Sequence, residues 1–192
     1  MTPRLPHWLI DIVETLVLTL IAFFVIQTFV AQPYQVHQTS MESTLEPGQY
    51  VLVDKLTPHW APYERGDIVV LHAPSGWDEG DDTPFIKRVI GLPGDTVSIG
   101  DDGRVYVNGT PLDESSYTFH ASDGTDQPTE ATDGTSTWTI GPDELFVMGD
   151  HRQASADSRA FGPIKVSSVI GRAFLRYWPA TTIGVLARPA YP

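Results

Sequence analysis

Apolar residues are concentrated in one long stretch near the amino terminus and in several short runs after it. The stretch from Trp8 to Val30 is apolar and long enough to span a bilayer, which takes about 20 residues. Asp11 and Glu14 lie near its start, where headgroup water and the positive end of the helix dipole accommodate carboxylates. The pattern predicts an amino-terminal tail over 1–7 and a transmembrane anchor over 8–31.

A cleavable signal peptide is the alternative interpretation of this stretch. A cut after Ala31 would place bulky Phe29 where a small side chain is expected, so a retained anchor is favoured. Arg4 precedes the stretch, and by the positive-inside rule it favours a cytoplasmic amino terminus. We therefore expect a single-pass protein of the cell membrane with its main domain on the extracytoplasmic side.

Short runs of β-branched and aromatic residues follow the anchor, and turn-forming residues separate them. Pro47-Gly48 is typical of a tight turn, and Asn108-Gly109 of a two-residue hairpin. The predicted strands are 49–55, 67–72, 85–90, 96–99, 104–107, 138–140 and 145–148. The chain after the anchor, 32–192, is therefore expected to form a β-rich domain.

Residues 113–137 break this pattern. They hold six acidic side chains and neither lysine nor arginine, and they are rich in Ser, Thr, Asp and Gly. Such a segment buries little apolar surface, so we interpret it as a solvated acidic insertion. A poorly patterned hairpin that extends from the β domain is the open alternative.

Composition narrows the classes of function. The 192 residues are 41% hydrophobic, enough for one packed domain besides the anchor. With 24 acidic and 12 basic residues the net charge is -12, which disfavours nucleic acid as a partner. The absence of cysteine excludes disulfides, thiolate nucleophiles and cysteine-type zinc sites, and no His-Glu-x-x-His motif occurs. We expect neither a metal nor a cofactor.

Candidate chemistry rests on Ser40, just past the apolar stretch, and on Lys87, inside an apolar run. A serine hydroxyl needs a base, and burial of a lysine disfavours its charged form and lets the neutral amine act as one. Strand alternation places Lys87 on one face with Phe85 and Val89, and Arg88 on the other. Because arginine keeps its charge, we expect Arg88 to point outward and Lys87 inward. The alternative for a single lysine in a strand is a snorkelling position at the edge of a sheet, where the aliphatic stem lies on apolar surface and the amine reaches water.

Four segments together carry a family resemblance: Ser40-Met41 with Thr44-Leu45, Arg65–Val70, Phe85–Asp95 and Gly149–Arg159. In order and spacing they resemble bacterial type I signal peptidases, and the resemblance extends to about Pro163. It implies a membrane-anchored serine endopeptidase that removes signal peptides from secreted precursors. The expected fold is mainly β, with a single amino-terminal transmembrane helix, a coiled antiparallel β-barrel-like catalytic domain and an insertion.

The same resemblance assigns roles to individual residues. It implies that Ser40 is the nucleophile, Lys87 the general base, and Ser155 a residue that hydrogen-bonds and orients the lysine amine. Asp157 and Arg159 match the family's structural salt-bridge positions. From the residues alone, 155–159 is a loop with local hydrogen bonds, and its ion pair is a surface pair of small value.

The chain departs from the family pattern around the serine. Gln38 stands where the family often has a serine that assists the oxyanion, so the backbone N–H of Ser40 is the firmer donor, although a glutamine amide can also donate. Ser43 replaces the usual proline and is expected to loosen the turn. His151 stands where asparagine is common. Glu42 adds a carboxylate near Ser40, which we expect to face solvent.

Partners follow from the resemblance as well. Substrates would be secretory preproteins with small residues at the first and third positions before the cut, with the lipid bilayer and a secretion translocon as further partners. Phe29–Val36 would line shallow pockets or rest against lipid. Four tryptophans are candidates for membrane contact: Trp60, Trp77, Trp138 and Trp178. The alternative function is a catalytically degenerate, membrane-tethered β domain that binds peptides or assembly partners. Gln38 and Ser43 leave this alternative open because they depart from the family pattern around the serine.

Overall fold

A computed structural model of the chain describes residues 6–74, 77, 83–121, 127–132 and 134–191. Helix α1 (His7–Val25) comes first and continues as one π-helical turn, Ile26–Val30. None of its side chains is buried, and it is the one helix among these residues long and apolar enough to cross a membrane. The helix occupies most of the segment predicted as the anchor, but Ala31 already belongs to the first strand.

Antiparallel strands make up most of the remaining regular secondary structure among the described residues. They are β1 (Ala31–Gln35), β2 (Tyr50–Asp54), β3 (Ile68–Leu71), β4 (Phe85–Gly91), β5 (Thr96–Ile99), β6 (Val105–Val107), β7 (Thr110–Pro111), β8 (Thr137–Thr139), β9 (Glu144–Met148), β10 (Ile164–Lys165), β11 (Val169–Trp178) and β12 (Gly184–Val185). A short helix, α2 (Ser158–Phe161), lies between β9 and β10.

Two sheets are formed. The larger has the order β1-β2-β11-β3-β4-β9-β10, with β12 paired to β11, and the smaller has the order β7-β6-β5-β8. Register shifts within β11 and between β4 and β9 bend the larger sheet, since an extra residue on one strand kinks it and increases its twist. The larger sheet is thereby curled, and the expected fold class, mainly β with one amino-terminal apolar helix, is confirmed.

All seven runs predicted as strands form strands, with bounds that shift by at most one residue. The sequence analysis did not predict β1, β7, β10, β11 or β12. The omission of β11 matters most, because this ten-residue strand lies between β2 and β3 and joins the two halves of the larger sheet.

Strand β4 is buried along its whole length because both of its faces are covered. Phe85 and Val89, on one face, pack into an apolar cluster with residues of β3 and β9. Ile86 and Ile90, on the other face, enter two further clusters. Any polar residue of β4 is therefore enclosed, whichever face it occupies.

The acidic segment 113–137 is only partly solvated. Tyr117 and Thr129 are buried, and Glu114 forms an ion pair with the buried Arg152 over 2.6 Å. A single β-bridge joins Thr132 and Thr135. Residues 122–126 and 133 lie outside the described part of the chain. The segment is therefore fastened to the domain at several of its described positions.

Candidate active site

The hydroxyl of Ser40 and the amine of Lys87 are in direct contact. Ser40 lies on a short helical turn, Thr39–Met41, a few residues after β1, and Lys87 is in the middle of β4. The Nζ atom of Lys87 is 2.7 Å from the Oγ atom of Ser40, within hydrogen-bond distance. Both residues are enclosed, with 4% of Ser40 and 1% of Lys87 exposed.

The surroundings of Lys87 favour its neutral form. Phe85 lies with its ring centroid 5.2 Å from Nζ, and Val69 of β3 is the register partner of Lys87. Burial lowers the pKa of Lys87 from 10.5 to about 8, and the positive charge of Arg159 acts in the same direction. The carboxylates of Asp157 and Asp150 oppose this shift without cancelling it. The amine is thus less basic than an ordinary lysine and loses its proton at about pH 8 rather than 10.5.

The expectation that Arg88 points to solvent is wrong. Arg88 is on the face of β4 opposite Lys87, but it is buried, and its guanidinium binds the buried carboxylate of Asp150. A further guanidinium hydrogen bond, 2.9 Å long, goes to the carbonyl of Gly66, and the ring of Tyr117 stacks 4.2 Å away. These partners compensate the loss of water, which allows a permanent charge inside the domain.

Asp157 connects the other two residues that the resemblance placed beside the lysine, Ser155 and Arg159. Its carboxylate accepts hydrogen bonds from the Ser155 hydroxyl at 2.7 Å and from Arg159 at 2.8 and 2.9 Å. It also accepts one from the backbone N–H of Gly149 at 3.0 Å. Among the described residues, the Ser155 hydroxyl forms no hydrogen bond with Lys87, so its orienting role stays a prediction.

Gly149 lies between Ser155 and Ser40. A Cβ atom at this position would collide with Ser155 Oγ and would lie 2.5 Å from the carbonyl oxygen of Ser40. Only glycine fits such a close approach of two chain segments. The glycine at position 149 is thus explained by its packing against Ser40.

Side chains from two other segments of the chain form hydrogen bonds with the turn that follows Ser40. The Thr44 hydroxyl donates a hydrogen bond to Asp150 at 2.6 Å, and Arg176 of β11 donates one to the Thr44 carbonyl at 2.9 Å. Between these contacts and the nucleophile, Ser43 has a φ of 86°, in the left-handed region. Thr44 and Arg176 were given no role from sequence, because 132 positions separate them.

Glu42 is not directed into solvent as we expected. Its Oε2 atom lies 2.8 Å from Nδ1 of His151, and both side chains are largely shielded. The imidazole of His151 stacks on Phe119, with centroids 4.0 Å apart and planes 15° from parallel. The backbone N–H of His151 also donates a hydrogen bond of 3.0 Å to the carbonyl of Ser40. The pair therefore links the nucleophile turn to the segment after β9.

An open cleft lies beside Ser40. A small cavity touches Ser40 itself, and it shares lining residues such as His37 and Ile86 with a neighbouring cleft of about 450 Å³. Gln38, which is partly buried, lines the small cavity next to Ser40. Gln38 therefore shares a cavity with Ser40, and its hydrogen bond to an oxyanion stays a prediction.

Apolar side chains are exposed at the helix and on parts of the β domain. Trp60 is 67% and Trp178 54% exposed, whereas Trp77 and Trp138 are buried in the core. The two buried tryptophans are thereby removed from the candidates for membrane contact. Phe29, in the last turn of the apolar helix, is exposed as well.

The family model, the relatives and the solved structure described next all belong to one family. A model of the family described as signal peptidase, peptidase S26, matches residues 9–178. A signal peptidase I of Leptolyngbya laminosa is 35% identical over 190 residues, 97% of this chain and 88% of that protein. Signal peptidase I P of Bacillus subtilis subsp. natto is 34% identical over 176 residues, 91% of this chain and 92% of that protein. The crystal structure of a signal peptidase I from Enterococcus faecalis is 32% identical and covers 57% of this chain and 95% of its own, with a TM-score of 0.41.

Proposed function

The chain belongs to the signal peptidase family, peptidase S26, as a serine-type signal peptidase, and we propose that it cleaves secretory preproteins with Ser40 as nucleophile and Lys87 as general base. One observation carries this assignment. The amine and the hydroxyl are 2.7 Å apart, and burial shifts the amine toward its neutral form. A nucleophile beside a base of lowered pKa is the arrangement that acyl transfer by serine requires.

The reaction follows from this geometry. Neutral Lys87 accepts the proton of Ser40 Oγ while Oγ forms a bond to the carbonyl carbon of the scissile peptide. The tetrahedral intermediate then expels the amine of the mature protein, which takes the proton from Lys87. Lys87 next removes a proton from water while the water oxygen forms a bond to the acyl carbon. The second tetrahedral intermediate releases the signal peptide as a carboxylic acid, and Lys87 returns the proton to the leaving Oγ of Ser40. The backbone N–H of Ser40 and the side-chain amide of Gln38 are the proposed donors to the oxyanion.

The cleft beside Ser40 supports an extended peptide as substrate. Strand β1 is the outermost strand on its side of the larger sheet among the described strands, so its free edge can pair with a peptide. The cleft of about 450 Å³ is lined by Tyr34 of this strand and by Pro84 and Ile86, among others. The cavity at Ser40 itself is far smaller, which agrees with small substrate side chains next to the cut.

Membrane attachment brings the site to the lipid surface. The apolar helix ends at Val30, and β1 begins at the next residue, so Ser40 is separated from the span by one short strand and a turn. We propose a single-pass anchor, with Phe29, Trp60 and Trp178 near the headgroups and the β domain on the extracytoplasmic side.

Alanine substitution tests the catalytic pair. Ser40→Ala and Lys87→Ala should each reduce cleavage of a preprotein in detergent or vesicles to below about 1% of the unchanged protein. Ser98→Ala in the smaller sheet and Lys165→Ala on the surface are the matched controls and should keep full activity. Full cleavage by either active-site variant would refute the assignment. If the unchanged protein bound signal peptides but did not cleave them, the degenerate peptide-binding domain would be the correct alternative.

The orientation can be tested by labelling, because the chain has no cysteine of its own. Val185→Cys lies on an exposed strand, and a membrane-impermeant maleimide should label it in intact spheroplasts. His7→Cys, at the start of α1, should react only after the membrane is permeabilised. The reverse labelling pattern would overturn the proposed topology.

A further inference from the structure

The turn that carries the nucleophile has an unfavourable backbone conformation. Ser43 has a φ of 86°, which residues with a Cβ rarely adopt and which the ring of a proline forbids. Residues held in this region persist when neighbouring contacts determine them. The turn of this chain therefore depends on contacts with other segments for its shape.

Two such contacts come from one residue. The backbone N–H of His151 donates to the carbonyl of Ser40, and its imidazole binds the carboxylate of Glu42 at 2.8 Å. His151 thereby holds the turn on both sides of Met41, which is itself buried. The stacking on Phe119 fixes the plane of the imidazole, and thus the direction in which Nδ1 meets the carboxylate.

We propose that Glu42 and His151 are positioning residues that keep the Oγ atom of Ser40 within reach of the amine of Lys87. This inference rests on the proposed catalytic pair. Neither residue touches the reacting atoms in the structure. They act by fixing the strained turn against the segment that follows β9, which also carries Gly149 and Asp150.

The expected loss of kcat follows from how steeply the rate depends on the position of Ser40 Oγ. A displacement of about 1 Å from reactive geometry costs up to about 100-fold in rate. On the other side of Ser43, the hydrogen bond between Thr44 and Asp150 still restrains the turn when the Glu42 contact is lost. We therefore expect a loss of about tenfold rather than complete inactivation.

Single and double substitutions test the pair. Glu42→Ala and His151→Ala should each lower kcat about tenfold on a signal-peptide substrate, with KM within about twofold of the unchanged value. Because the two side chains act together, the double variant should lose no more than either single variant. Lys165→Ala, which removes a surface ion pair with Glu144, is the control and should leave kcat unchanged.

A second substitution separates positioning from general stability. Glycine adopts a φ of 86° without a steric penalty, so Ser43→Gly in the Glu42→Ala background should recover at least about threefold of the lost kcat. The same kcat losses should persist well below the unfolding temperature of each variant, measured by circular dichroism.

Three results would overturn the inference: unchanged kcat in both single variants, losses that multiply in the double variant, or no recovery with Ser43→Gly. These three results are distinguishable from a failure of the proposed catalytic pair. If the catalytic pair were wrong, Ser40→Ala and Lys87→Ala would remain active in the same assay, whatever the behaviour of the Glu42 and His151 variants.

Discussion

Arg88 donates hydrogen bonds to both carboxylate oxygens of Asp150, over 2.7 and 2.6 Å, on the face of β4 opposite Lys87. Two consecutive residues of one strand are therefore buried basic groups with different partners. The guanidinium has a carboxylate at hydrogen-bond distance, which supports its charge. Lys87 has the hydroxyl of Ser40 instead, and burial lowers its pKa to about 8. The strand thus separates a structural cation from the proposed proton acceptor by alternation of its faces.

Asp150→Asn should destabilise the domain strongly, because it leaves the guanidinium of Arg88 buried without a countercharge. Breaking one partner of a buried ion pair costs about 3–5 kcal/mol, and the free energy of unfolding, measured with urea, should fall by that amount. Glu46→Gln, on an exposed position of the nucleophile loop, is the control and should change it by less than about 0.5 kcal/mol. A loss below about 1 kcal/mol for Asp150→Asn would contradict this account of the pair.

The pH dependence of kcat/KM should report Lys87. Below its pKa of about 8 the amine is protonated and cannot accept the proton of Ser40, so activity should rise as the pH passes upward through about 8. The measurement is a pH profile on a signal-peptide substrate between pH 6 and 10. An acidic limb near the ordinary pKa of lysine would show that burial does not activate the amine.

Much of the fold could be predicted from sequence because the local signals are strong. The apolar helix and the β-branched runs of β2 to β6, β8 and β9 are apparent in single segments of the chain. Strand β11 was not predicted, although Val169–Trp178 is rich in strand-forming residues. Its Arg172 and Arg176 break the apolar alternation, and their partners, Asp67 and the Thr44 carbonyl, are far away in sequence.

The residues of the candidate site could be proposed from sequence, but the contacts that support them could not. The resemblance pointed to Ser40, Lys87, Asp157 and Arg159. The structure places Ser40 beside Lys87 and pairs Asp157 with Arg159, and the roles of these residues stay predictions. The burial of Arg88 was missed because alternation alone implies that one face of a strand is exposed, whereas both faces of β4 are covered. The contacts of Glu42 and Thr44 span more than 100 positions, and no local pattern indicates such pairs.

Lys87→Met should stabilise the fold while it abolishes cleavage. The pKa of Lys87 is about 8 in the folded state, against 10.5 for an ordinary lysine. Below about pH 8 the amine is charged in both the folded and the unfolded state, and burial of this charge lowers the free energy of unfolding by about 3 kcal/mol. Between pH 8 and 10.5 the folded state is neutral while the unfolded state still binds the proton, so this penalty shrinks and then disappears.

The free energy of unfolding of Lys87→Met should therefore exceed that of the unchanged protein at pH 7, and the difference should decrease toward pH 10.5. Lys165→Met, at an exposed position, is the control and should show no such trend. A destabilised Lys87→Met variant at pH 7 would mean that the hydrogen bond with Ser40 outweighs the cost of burying the amine.

Gly149→Ala should inactivate the enzyme with little effect on the rest of the fold. The added Cβ would meet Ser155 Oγ and the carbonyl oxygen of Ser40, so the nucleophile turn must shift away from Lys87. Because reactive geometry tolerates little displacement, kcat should fall by about 100-fold. Gly184→Ala, where the nearest atoms are 3.9 Å from the new Cβ, is the control and should keep full activity. A kcat for Gly149→Ala within about twofold of the unchanged value would contradict this account of the close approach.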